Sequence, residues 1–154
     1  MDLNETTETT CFNSLYEHGV DSKRRLQIPH KWRPSKSGVE FTVVLWMKPN
    51  EGIRLRVLPP EELKRLMNDL NGMAKGDNNK LVLRRYIGTH SEQVALDKSG
   101  RICLPEKMAR EAGITDKAVL VGLLNTFEVW SPERFNRVQA ADAVMAPEAF
   151  KLMD

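Results

Sequence analysis

Two stretches of this chain are written on one template. Residues 20–31 align with residues 96–107, an offset of 76. The shared frame is an apolar residue, Asp, three residues, Arg, apolar, any, apolar, Pro, any, Lys. A second match follows each copy: residues 55–63 resemble residues 127–135, now at an offset of 72. Internal repeats decide architecture, so they are the strongest constraint available. The order of matches predicts that each half reads strand, turn, strand, short bend, strand, strand, helix. Four short strands cannot bury both faces of a sheet alone. The two halves are therefore expected to close on each other as one pseudo-twofold domain, not as two beads.

The residues within each copy support that reading. Leu26 and Ile28 alternate with Arg25 and Gln27, and Ile102 and Leu104 alternate with Arg101 and Cys103. One face of each strand is apolar and the other carries the Arg. Asp21 and Asp97 open the preceding turns, where an Asp side chain accepts a backbone N–H two residues on. Pro29 and Pro105 end the strands, since proline has no donor for a ladder. Pro105 also opens a helix over 106–112, stopped by Gly113, whereas Pro34 cuts the first copy short. Further hairpins are expected from 41–46 with 53–57, and from 118–123 with 127–130. Leu63, Leu66, Met67 and Leu70 form a helical apolar stripe, which Phe135, Val138 and Ala141 repeat more weakly.

Of the 154 residues, 41% are hydrophobic, enough for a core. The net charge of +2 does not by itself point to nucleic acid. Cys11 and Cys103 are far apart and give neither a disulfide framework nor metal spacing. His18, His30 and His90 lack ligand spacing. There is no nucleophile elbow, phosphate loop or dinucleotide glycine pattern, so no enzyme, cofactor or metal is expected. Trp32, Trp46 and Trp130 read as core or interface residues. Residues 1–10 are polar and acidic, unlike a secretory signal. A cytoplasmic protein with a disordered tail over 1–11 is expected, with no membrane association.

Taken together, the paired Asp-x-x-x-Arg-apolar-x-apolar-Pro units resemble the MraZ family, within the AbrB-like (SpoVT-AbrB) swapped-hairpin superfamily. The likeness covers roughly residues 12–138. It includes Tyr16-Glu17-His18, Leu96-Asp97-Lys98-Ser99-Gly100-Arg101-Ile102, Ala112-Gly113-Ile114, Val119-Leu120-Val121-Gly122 and Phe127-Glu128-Val129-Trp130. Tyr86-Ile87-Gly88 also fits, where the family has a helix end. The resemblance implies an α+β, mainly β, fold: a pseudo-twofold swapped-hairpin barrel made by the two repeats, with flanking helices. It divides the chain into copy one (12–75), a linker helix (76–90), copy two (91–138) and a C-terminal tail or helix (139–154). It implies a nucleoid-associated transcription regulator, a repressor of the division and cell-wall gene cluster. Such a protein assembles into ring-like homo-oligomers and binds repeated boxes in promoter DNA. The family's DNA-contacting Arg falls at Arg25 and Arg101. One departure stands out: Arg24 occupies the place of the family's turn Gly. Either the first turn differs in type, or the added charge is worth the strain.

Charge is concentrated where the motif lies. Residues 21–36 hold six cations against one acid, whereas residues 97–112 hold four against three. Clustered cations neutralise phosphates and release counterions, and Arg reads guanine bidentately in the major groove. The expectation is that Arg25 reads base edges, that Lys23, Arg24, Lys31 and Arg33 hold phosphates, and that Arg101 with Lys98 contributes less. Asp21 and Asp97 brace the turns. Two other readings compete: an AbrB-type antitoxin-like module that binds a protein partner through residues 140–150, and a structural ring or RNA-binding protein. Trp46, Met47, Val144, Met145 and Phe150 are candidate exposed contacts for self-assembly.

Overall fold

A computed structural model describes residues 10–154. Residues 1–9 of the expected tail lie outside the described residues. Cys11 is exposed, and the next residue, Phe12, is already buried in the core.

Among the described residues, eight strands and four α-helices follow one another. The first half holds β1 (Leu15–Gly19), β2 (Arg25–Gln27), β3 (Glu40–Lys48), β4 (Gly52–Leu58) and α1 (Pro60–Asn71). After α2 (Asn78–Thr89) come β5 (Ser91–Ala95), β6 (Arg101–Cys103), α3 (Glu106–Glu111), β7 (Lys117–Gly122), β8 (Phe127–Trp130) and α4 (Pro132–Phe150). Six strands make one antiparallel sheet in the order β1-β7-β8-β4-β3-β5, and β2 pairs with β6 as a separate ribbon. Exchanging β1–β4 for β5–β8 reverses this order without changing it. Each half lends its first strand to the other: β1 pairs with β7, and β5 with β3.

The expected swapped-hairpin barrel is not seen as a closed barrel among the described residues. The sheet is open, with β1 and β5 as its edges. The reason lies in the ribbon. Its strands are three residues long and pair with each other, with Leu26 opposite Ile102 at the centre, and each is linked back to its own half by a short contact: the Val20–Leu26 bridge in the first and the Asp97 amide on the Arg101 carbonyl at 2.8 Å in the second. No continuous ladder joins the ribbon to the sheet edges. The ribbon instead lays Leu26, Ile28, Ile102 and Leu104, all fully buried, against Val43, Leu45, Leu55, Val57, Leu120 and Phe127. Period-two alternation puts those sheet residues on one face, and the core there draws on both halves.

The other face is covered by helices. Pro60 and the acids Glu61 and Glu62 suit the start of α1. From α1, Leu70 is buried, and Leu63 and Leu66 are half-buried, but Met67 is exposed rather than part of the stripe. Ser131 caps α4 by accepting from the Arg134 amide at 3.2 Å. Phe135 then packs with Val119 and Trp130, beside Val121 and Val138. Beyond that point α4 leaves the sheet, and Val144, Met145 and Phe150 are exposed.

Candidate nucleic-acid interface

The two turns before the ribbon strands are built alike, bond for bond. Asp21 Oδ1 accepts from the amides of Lys23 (3.0 Å) and Arg25 (2.8 Å), and Asp97 Oδ1 accepts from those of Ser99 and Arg101 (both 2.9 Å). The second oxygen takes the Arg side chain: Arg25 Nε lies 2.7 Å from Asp21 Oδ2, and Arg101 Nε lies 3.0 Å from Asp97 Oδ2. The Arg24 amide donates to the Asp21 carbonyl at 2.9 Å, and the Gly100 amide to the Asp97 carbonyl at 3.0 Å. Both turns therefore share a left-handed position, with φ of 61° at Arg24 and 79° at Gly100. The turn type does not change where Arg replaces Gly; an L-residue there costs about 1 kcal/mol.

The ribbon holds these turns side by side. With Leu26 and Ile102 inward, alternation turns Arg25, Gln27, Arg101 and Cys103 outward. Gln27 Nε2 donates to the Ser99 carbonyl at 2.9 Å, and Cys103 Sγ donates to the Lys23 carbonyl at 3.4 Å. Each strand thus ties down the opposite turn. These two ties were not read from the sequence, where nothing marks a Gln or a Cys as a partner of a turn 72 or 80 residues away.

The candidate residues divide into three groups. Arg25 and Arg101 are brought together on the ribbon's outer face, both within reach of Asp21, and Lys23 and Lys98 are exposed in the turns that precede them. The two Arg residues there are not equivalent. Arg101 sits between two carboxylates, with Asp21 Oδ2 3.9 Å from its Nη1, in addition to Asp97. Lys31 stands apart, 3.3 Å from Ser14 Oγ and over the Tyr16 ring. Arg24 and Arg33 are half-buried and point their Nε atoms at main-chain carbonyls, those of Leu104 (3.1 Å) and Ile28 (2.9 Å).

The bracing carboxyls set a pH limit. The backbone N–H of Arg25 is the leading cause that holds Asp21 below the ordinary 3.8, with the Arg25 guanidinium adding to it. Asp97 is lowered in the same way, first by the backbone N–H of Arg101. Since the unfolded chain takes up these protons more readily than the folded one, acid favours unfolding. Their contribution is complete above about pH 4 and is lost as pH falls through the lowered folded values. An Asp21→Asn/Asp97→Asn protein is expected to lose part of the acid-side slope of its urea midpoint between about pH 2 and 4.5. An unchanged slope would show that other carboxyls carry it.

Among the described residues, no group of His, Cys, Asp and Glu is arranged to hold a metal ion, and no helix is long and apolar enough to cross a membrane.

Comparison with known proteins gives one answer. Residues 87–151 match the family described as "MraZ protein, putative antitoxin-like". The chain is 30% identical over 132 residues to the transcriptional regulator MraZ of Leuconostoc mesenteroides, covering 86% of this chain and 89% of that protein. It is 36% identical over 137 residues to the transcriptional regulator MraZ of Herpetosiphon aurantiacus, covering 88% of this chain and 92% of that protein. The corresponding protein of Mycoplasma mobile is 31% identical over 123 residues, 80% of this chain and 81% of that one.

Proposed function

The chain belongs to the MraZ family of transcriptional regulators, and from that premise we propose that it binds double-stranded DNA through the outer face of the β2–β6 ribbon. The observation that carries this reading is the pair of matched turns held side by side, with Arg25 and Arg101 on the ribbon's outer face and exposed Lys23 and Lys98 in the turns. A two-stranded ribbon fits the major groove. In this reading Arg25 reads a base edge, and the lysines hold phosphates. Arg25 leads because Arg101 already has two carboxylate partners. The Asp21 and Asp97 braces fix both guanidiniums in advance, so less freedom is lost on binding.

The resemblance extends the proposal to a repressor of the division and cell-wall gene cluster, acting on repeated promoter boxes as a ring-like homo-oligomer. A ring facing several boxes gains affinity through multivalency. The exposed apolar side chains of α4 support self-assembly.

The test is fluorescence anisotropy of a labelled duplex from upstream of the protein's own gene cluster, against a scrambled duplex, over a range of salt. The native duplex is expected to win by about a thousandfold or more. Arg25→Ala is expected to reduce that preference by about tenfold or more, the worth of a bidentate Arg–guanine pair. Equal binding of both duplexes, with Arg25→Ala only flattening the salt slope, would reduce the ribbon to a phosphate clamp.

A further inference from the structure

We infer that Arg24 and Arg33 are positioning residues for the two turns, one serving each half, and that neither acts as a phosphate contact. This rests on the DNA-binding reading above and changes which cations carry it.

Ile28 and Leu104 occupy matching places, 76 residues apart. Each directly follows its ribbon strand, with its amide bonded across to the other half: Ile28 to the Gly100 carbonyl at 3.0 Å, Leu104 to the Arg24 carbonyl at 2.9 Å. Each is followed by a proline, so neither carbonyl is carried onward by a ladder. Both carbonyls are instead capped by an Arg Nε, at 2.9 Å from Arg33 and 3.1 Å from Arg24.

The two caps come from different places in the repeat. Arg33 lies five residues beyond its carbonyl in the same half. Its counterpart at the same offset is Ala109, which is buried and has no side-chain donor. Arg24 is a turn residue of the opposite half, and its counterpart is Gly100. The positions are coupled by space. The Arg33 guanidinium lies directly over Gly100: a Cβ added there would be 2.3 Å from Arg33 Cζ. Where the cap comes from position 33, the turn must be Gly. Where position 109 is Ala, the turn is free to be Arg and to supply the cap itself. The strained φ of Arg24 is thereby explained by a hydrogen bond 80 residues away in sequence, without invoking phosphate.

Glutamine separates the two roles. Its Nε2 lies as many bonds from Cα as the Nε of Arg, and it carries no charge. Arg24→Gln and Arg33→Gln are expected to keep affinity for the native duplex within about threefold and to leave the salt slope unchanged. Arg24→Ala and Arg33→Ala should each lose about tenfold, as for a charge-assisted hydrogen bond removed, also at constant slope. A Lys23→Ala control should lower the slope by about 0.9, one phosphate. If the Gln variants weaken as much as the Ala variants and the slope falls by that amount, Arg24 and Arg33 are phosphate contacts and the inference is wrong. Amide hydrogen exchange without DNA decides the cap independently. Ile28 and Leu104 should exchange faster in the matching Ala variant and at the wild-type rate in the Gln variant. Unchanged exchange in the Ala variants would overturn the cap. Wild-type protein that prefers no duplex, with exchange behaving as expected, would sink the DNA reading and leave the cap standing.

Discussion

Glu128→Ala is expected to destabilise the protein by about 3–5 kcal/mol, the cost of leaving a buried charge without its partner. Glu128 lies on the helix-covered face of the sheet and is 5% exposed. One oxygen accepts from Arg54 Nε at 3.0 Å and Arg56 Nη2 at 3.4 Å, and the other accepts from Trp130 Nε1 at 2.9 Å. The two guanidiniums also lie over indole rings, Arg54 over Trp130 at 5.0 Å and Arg56 over Trp46 at 4.1 Å. Arg54 is 3% exposed, and without Glu128 its remaining carboxylate is Glu51 at 3.3 Å. A domain has only about 5–15 kcal/mol in total, so the variant should unfold at a much lower urea concentration with an unchanged slope. Replacing Arg54, Arg56 and Glu128 together by leucine should cost far less, because no charge is then stranded. A loss below about 1 kcal/mol for Glu128→Ala would mean that water already solvates the cluster.

Trp32→Ala should cost a similar amount, about 3–5 kcal/mol. Trp32 is fully buried in the core beneath the ribbon. It meets Phe12 at 5.7 Å and Tyr16 at 5.3 Å edge-on, and Phe127 at 5.0 Å at a tilt. Its Nε1 donates to the Asn13 carbonyl at 3.0 Å, so the substitution removes volume and also strands an acceptor. Trp32→Phe keeps much of the ring and should lose distinctly less. Urea unfolding followed by far-ultraviolet circular dichroism tests both variants. Equal losses would show that the hydrogen bond dominates, and a negligible loss for alanine would show that the site collapses without a cavity.

These two sites differ in how far the sequence reveals them. Trp32 reads as a core or interface residue from its type and place. The Arg54–Glu128 pair does not read at all, because its members stand 74 residues apart on strands that look ordinary. They meet only because β4 pairs with β8 and puts Arg56 opposite Glu128. Met67 shows the limit of periodicity: its spacing fits the stripe of α1, but the helix covers the sheet along a narrower line and leaves it exposed.

The sequence by itself determined what depends on near neighbours. The alternation of Leu26 and Ile28 with Arg25 and Gln27, the Asp21 and Asp97 turns, and the helix start at Pro105 all rest on contacts within about four residues. The repeat added the expectation that two such units face each other. Tertiary structure alone decided the rest. It set six strands in an open sheet and paired β2 with β6 in a separate ribbon, joined to the sheet edges by short contacts and not by a continuous ladder. It also sorted the cations. In sequence Lys23, Arg24, Lys31 and Arg33 read alike, as phosphate contacts around Arg25. In space Arg25 lies outward beside Asp21, whereas Arg24 and Arg33 turn to the carbonyls of Leu104 and Ile28. Charge adds along a chain without regard to direction, but a hydrogen bond needs a particular acceptor within about 3 Å. For Arg24 only the register of β2 on β6 brings that acceptor from the other half of the molecule.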